Sequence, residues 1–443
     1  MKRLAVLAGV GLLIVVAALL PEPGEPPEPL AGLVVDRPGL DSPLEASIWY
    51  CPWAQADAER DSVFSVVTME AATAHLTLPV AIPGEDPDEA TLETLGPGGA
   101  EVALTGIAVR GDSPGFLEFD AGPAAAAVTV LGPEVVAADS CVASGPDVWY
   151  FPGGSTMAGE TLTLRLFNPF PETAKVSVGG VSEIGVEALG ELRSLSVNPR
   201  SWRDISFEEL LRQRQDLVVT VTTEEGLIVP AMAMTDPQGE DWWPGAGVSQ
   251  QWEFPVVRTA GSEDASLVVA NPGLSTASVT VDVFTEEGPR PAAFSLEVQA
   301  DSPGRISFAA ISEEVIGARI ISDVPVTAAV VTRGEAGLAV TPGVPAPARV
   351  WLLPGLRSFG LQEGSLWLLN GGDEVVSVTI TIIGAEGVVA ENVMVGPGSQ
   401  LQVPASQDAV GYLVTSTQPF SAAWSVTGPG DFAFASGSAV PDQ

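Results

Sequence analysis

The 443-residue chain has one histidine, His75, and that number alone limits the chemistry open to it. A Ser-His-Asp or Cys-His centre would have to use this residue. It sits in the run ATAHLTLPV, where alternation puts it on the polar side of a strand, and no G-x-S-x-G elbow accompanies it. It reads as a surface histidine. The two cysteines, Cys51 and Cys141, cannot build a zinc cluster and lack the C-x-x-C spacing of a redox pair. Carboxylates are plentiful, 56 in all, but no spacing selects one pair as the acid and base of a glycosidase. The acidic run from Pro83 to Glu93 lacks the order of a calcium loop and reads as a solvated acidic loop. Arg110-Gly111-Asp112 spells an integrin-type tripeptide, but Asp301-Ser302-Pro303-Gly304 repeats the flanking DSPG later in the chain, so turn chemistry explains it. The pair Trp242-Trp243, beside Glu240 and Asp241, is the one aromatic feature with two readings: a hydrophobic plug between domains, or a platform on which a sugar ring stacks. No catalytic residue, metal site or cofactor is expected.

The elements that hold these residues repeat. Trp49-Tyr50-Cys51-Pro52, Trp149-Tyr150-Phe151-Pro152, Trp252-Glu253-Phe254-Pro255 and Trp351-Leu352-Leu353-Pro354 all fit W-x-x-P, at intervals of 100, 103 and 99 residues. Nineteen residues after each Trp stand Thr68, Asn168, Asn271 and Asn370, the last three followed by Pro or Gly as in turns. Runs such as ASVTVDVF (277–284) and VVSVTITII (375–383) alternate with period two and are rich in β-branched residues, which predicts strands. Helical periodicity is nearly absent; Phe207 to Gln215 could form one or two turns. The expected fold is all-β: four tandem immunoglobulin-like β-sandwiches of about 100 residues, at 44–145, 146–246, 247–346 and 347–443. A closed four-bladed propeller is the rival, but a blade needs only about 45 residues. Gly- and Pro-rich links separate the repeats, so each is expected to fold as a self-contained unit.

Residues 1–20 place Lys2 and Arg3 before an uncharged apolar run from Leu4 to Leu20, which is an export signal, either a retained signal anchor or a cleaved signal peptide. Residues 21–43, beginning PEPGEPPEPL, are too rich in Pro and Glu to fold and read as a stalk. On this reading the rest of the chain lies outside the cytoplasm, tethered to the membrane if the anchor stays and secreted if it is cleaved. In that oxidising setting Cys51 and Cys141 should be joined as a disulfide. Phe151, Phe254 and Leu353 hold the place of Cys51 in the other repeats, so the position faces a core. A net charge of −37 makes nucleic acid a poor partner.

The W-Y-C-P motif at Trp49 to Pro52, with the turn-and-strand rhythm of Asn271-Pro272-Gly273, Val281 to Phe284, Pro303-Gly304 and Ser322 to Val326, resembles an exported actinobacterial family of unknown function. Its members carry an N-terminal apolar segment and repeated units of this kind. The resemblance spans most of residues 44–443 and implies no activity. The function expected is therefore that of a noncatalytic, membrane-tethered envelope protein acting as a spacer or binding module toward an envelope protein or cell-wall polymer. The alternatives are a carbohydrate- or peptidoglycan-binding array using Trp242 and Trp243, and a carboxylate-dependent hydrolase.

Overall fold

The computed structural model describes residues 47–440 except 80–85, 109–110, 260–261, 286–287, 335–336, 356–362, 385–386 and 429. Residues 1–20, read above as an export signal, residues 21–43, read as a stalk, and Arg110 lie outside the described residues. Within them the chain is built of strands, with two single-turn 3-10 segments and no α-helix. The segment Phe207 to Gln215 makes one turn, with the amides of Leu210 and Leu211 both donating to the carbonyl of Phe207. The acids Asp88, Glu89 and Glu93 sit in a strand, Asp88–Thr94, instead of a loop.

Each repeat forms two antiparallel sheets with one strand order. Leaving aside the two-residue strands Gln55–Ala56, Gly111–Asp112 and Ser438–Ala439, and counting Gly185–Val186 and Leu195–Val197 as two pieces of one fourth strand, the first strand pairs with the sixth, the sixth with the third and the third with the fourth. In the facing sheet the fifth, second, seventh and eighth strands lie side by side. In the first repeat these sheets are Ser47–Cys51, Gly115–Phe119, Ala72–Leu78 and Asp88–Thr94 against Gly98–Ala103, Asp61–Thr68, Ala124–Leu131 and Val136–Ser140. The two-layer sandwich is the expected class. Its strand order departs from the immunoglobulin arrangement of ABED against CFG, because the first strand joins the sheet of the third and sixth.

In the third and fourth repeats the sixth and seventh strands fuse into single strands of 20 and 19 residues, Val315–Gly334 and Ala409–Thr427, which leave one sheet and enter the other. Pro325 and Pro419 stand at the crossover, where a missing N–H interrupts no ladder. The motif tryptophans pin these bends: the indole of Trp252 donates to the carbonyl of Val326 at 2.8 Å, and that of Trp351 to Phe420 at 2.9 Å. The bends are absent from the first two repeats, and there the indole N–H groups of Trp49 and Trp149 are buried without such a partner. The motif prolines Pro52, Pro152, Pro255 and Pro354 are all buried.

The residues nineteen positions beyond each Trp do more than make turns. Asn168, Asn271 and Asn370 are buried, and each staples its own turn to a distant strand end. Asn370 donates from Nδ2 to the carbonyls of Glu374, Val395 and Gly396 and accepts the amide of Gly372. Asn271 makes the corresponding bonds to Ser275, Val298 and Gly273, and Asn168 to Glu172, Val197 and Phe170. Thr68, one atom too short for this, bonds to the Thr94 hydroxyl at 2.8 Å instead. Asn370→Ala should strand these groups and lower stability by roughly 2 to 3 kcal/mol, read from the urea midpoint at unchanged slope.

The described residues belong to one compact unit. Its hydrophobic clusters cross the repeat boundaries. Val268, Ala270, Val331 and Val340 of the third repeat share a cluster with Trp149, Phe151 and Met232 of the second, and Ala127 and Val136 of the first share one with Leu353 and Trp424 of the fourth. The eighth strands, Val136–Ser140, Glu240–Pro244, Gly337–Pro342 and Phe432–Ser436, each pack against two others in cyclic order. The four sandwiches therefore close into a ring around one axis, so cyclic closure is combined with two-sheet repeats. The length of the repeats correctly indicated two sheets in each, but it held no information about closure.

Candidate functional site

Three buried carboxyls gather on the axis of the ring. Asp431, just before the eighth strand of the fourth repeat, is 1% exposed and accepts one backbone amide from each of the four inner strands. Oδ2 takes Val136 N and Glu240 N, both at 3.2 Å; Oδ1 takes Leu338 N at 3.1 Å and Phe432 N at 2.9 Å. One side chain thus ties four repeats together across as many as 295 residues. Two glycines leave room for it. A Cβ on Gly239 or on Gly337, where φ is +139°, would lie 2.5 or 2.2 Å from Oδ1. Burial pushes the Asp431 carboxyl up against the pull of the four amides, from 3.8 to about 7.

Two further carboxyls occupy the same strands. Asp241 accepts Val340 N at 2.7 Å, joining the second repeat to the third, and Asp139 accepts Ser140 N at 2.7 Å. Burial raises both well above the usual carboxylate range, and Asp139 and Asp431 add like charge at Asp241. Their remaining oxygens, Asp139 Oδ2 and Asp241 Oδ1, are enclosed without a hydrogen-bond partner among the described residues. A neutral acid suits that environment better than a carboxylate. No group of ligating side chains among the described residues is placed to hold a metal ion. The axial acids are walled in by strands, so their chemistry is that of a lock.

Ion pairs at the boundaries reinforce the ring. Arg165, 1% exposed, forms a two-pronged pair with Asp204 at 2.8 and 2.7 Å, reaches Asp112 of the first repeat at 3.0 Å and lies 4.2 Å from the Trp53 ring centre. Asp112, the acid of the integrin-type tripeptide, is thereby engaged in an internal pair. Arg60 meets Glu240 at 2.6 Å, and Arg305 meets Asp216 at 2.5 Å. Between the third and fourth repeats Glu253 accepts the Ser421 hydroxyl at 2.6 Å. Arg319 binds Asp282 and the carbonyl of Gly371, both at 2.7 Å. A cleft of about 700 Å³ opens beside this last pair, lined by Asp282, Phe284, Pro289, Arg319 and Pro397. Asp282 and Arg319 are paired with each other there, and the exposed Asp373 stands at the same cleft.

The sequence-selected residues fall into three places. Cys51 and Cys141 are bonded at 2.00 Å within the first sandwich, and Phe151, Phe254 and Leu353 are buried at the position of Cys51 in the others. The motif residues Trp149, Trp252 and Trp351 are core residues, and Trp49 is half-buried. Trp242 and Trp243 are 0% exposed, in the inner strand of the second repeat. Strand alternation sends Trp242 into the core of the first repeat and Trp243 into that of the second. An enclosed indole offers no face to a sugar ring, which corrects the ligand-contact reading in favour of the plug. His75 is exposed, with Thr91 3.4 Å from Nδ1. Asp431, Asp139 and Asp241 were not singled out as axial residues; the signal available was an acid inside or beside short apolar strands, as in VAADS and DFAFAS.

The fold defines a protein built as a closed array of four β-sandwiches with a sealed acidic axis. The chain belongs to the family described as a family of unknown function (DUF5719), whose model matches residues 108–342, from late in the first repeat to the end of the third. The W-Y-C-P motif lies outside that match. No curated protein matches the chain. Among solved structures, one titled Thermotoga maritima 1070 is 20% identical over 22% of this chain and 98% of its own, with a TM-score of 0.20. A Streptomyces avermitilis alpha-L-rhamnosidase complexed with L-rhamnose is 11% identical over 86% of this chain and 55% of its own, with a TM-score of 0.12. A tetra-tandem repeat from the extending region of a large adhesion protein is 11% identical over 85% and 93%, also at 0.12.

Proposed function

We propose that this chain is a noncatalytic, exported envelope protein, tethered to the membrane by its N-terminal segment, whose ring of sandwiches serves as a rigid spacer and binding module. The observation that carries the reading is the use to which its unusual acids are put. Asp431, Asp139 and Asp241 have the perturbed titration often associated with catalysis, yet all three are enclosed by the inner strands, and Asp431 and Asp241 are occupied in joining repeats. The Cys51–Cys141 bond supports an oxidising location. The test is a fusion after Gln443 of a reporter active only in the cytoplasm. The reporter should be silent while the fused protein accumulates, and cytoplasmic activity would overturn the export half of the reading. Turnover of glycosides or esters by purified protein, abolished by changing one exposed acid pair, would overturn the noncatalytic half.

A further inference from the structure

The fourth strand of each repeat is the outer edge of its sheet, and three of the four edges are protected against pairing with another chain. Asp88–Thr94 carries Asp88, Glu89 and Glu93. In the second repeat the edge is broken into two short pieces, Gly185–Val186 and Leu195–Val197. Gly288–Val298 contains Pro289 and Pro291, breaks register opposite Asp282 and holds Ala292 at φ +49°. The edge of the fourth repeat, Gly387–Val395, is full length, has no proline and carries a single charge. It pairs residue for residue with Val376–Gly384 over nine positions without a bulge. Val388, Val389 and Met394 are 47, 63 and 63% exposed, and Glu391 is its one charge.

From this contrast we infer that Gly387–Val395 is a docking edge that takes up an extended segment of a partner protein, with a basic residue set against Glu391 and apolar residues on either side. Strand addition supplies affinity through backbone hydrogen bonds and selectivity through alternate side chains. Val389, Glu391 and the half-buried Val393 share one face, so an added strand would extend the core side of the sheet and cover Val389. Charge selects the occupant. Residues 347–443 hold two arginines against eight acids, and the whole chain carries −37. A second copy paired antiparallel over the full strand would put Glu391 opposite Glu391, which is unfavourable. A basic, apolar segment meets neither obstacle.

The inference rests on the binding-module reading and names the partner's chemistry. Its test uses the full-length protein and two capped peptides, acetyl-SVTVRVTVS-amide and the same sequence with Glu in place of Arg. Hydrogen exchange should slow within 387–395 on adding the Arg peptide, with at least tenfold weaker binding of the Glu peptide. Glu391→Lys, at an exposed position, should reverse that preference, and Val389→Lys should abolish binding of the Arg peptide. Equal affinity for both peptides, or slowing confined to other strands, would overturn the inference. So would protection of 387–395 that needs no peptide and rises with protein concentration together with dimer formation. The catalytic question is read separately: turnover would sink the noncatalytic reading and leave the exchange result standing, whereas a silent protein that ignores both peptides sinks the docking edge alone.

Discussion

Asp431→Ala is expected to destabilise the ring by about 4 kcal/mol near pH 4, where the carboxyl is largely neutral, because four buried amides, one from each repeat, lose their acceptor at roughly 1 kcal/mol or more apiece. Urea unfolding monitored by tryptophan fluorescence measures it, and a loss below 1 kcal/mol would contradict the assignment. The wild-type residue should also leave a pH signature. Its carboxyl rises from 3.8 to about 7 on folding, so the native state holds the proton more tightly than the unfolded chain. The corresponding stabilisation is full below pH 4 and is lost as pH climbs through about 7. A shift of this size corresponds to about 4 kcal/mol. Stability should therefore fall between about pH 4 and about pH 7, and the advantage of wild type over Asp431→Asn should shrink across the same interval. A constant difference would show that Asp431 does not titrate there.

The second large effect belongs to the Cys51–Cys141 bond, which spans 90 residues. Removing it with Cys51→Ala and Cys141→Ala should lower stability by roughly 4 to 5 kcal/mol through the freedom regained by the unfolded chain. The loss has a characteristic distribution. Because Cys141 follows directly on the inner strand Val136–Ser140, loosening it should weaken ring closure as well as the first sandwich. Hydrogen exchange of the double variant should speed up first in residues 47–142 and then in the fourth repeat. Exchange unchanged in the fourth repeat would mean that the first sandwich loosens without disturbing closure.

Local pattern carried much of this architecture. Period-two alternation and the W-x-x-P interval were legible as four sandwiches, and the placement of Cys51 against Phe151, Phe254 and Leu353 was legible as a core position. Ring closure was not, for a physical reason. The bonds that make it join residues such as Val136 and Asp431, and neither alternation nor turn chemistry records a partner 295 residues away. The Gly- and Pro-rich links read as separators. Those around Pro244 to Gly247 instead lie beside buried packing, with Gly245 so close to Phe151 and Trp149 that a Cβ would sit 2.7 and 2.9 Å from their rings. Trp242 and Trp243 were ambiguous because two adjacent indoles suit either a binding face or a strand buried on both sides. Only the neighbouring repeat, which encloses the second side, decides between them. The asparagines were legible as turn residues, but their reach to the ends of distant strands depends on the folded layers.

The central claim, that one carboxyl locks four repeats into a closed ring, is tested most directly by amide exchange in Asp431→Ala against wild type under native conditions. The account predicts that Val136, Glu240 and Leu338, in three other repeats, lose protection together with Phe432. Faster exchange at Phe432 alone, with the other three amides as protected as before, would contradict it.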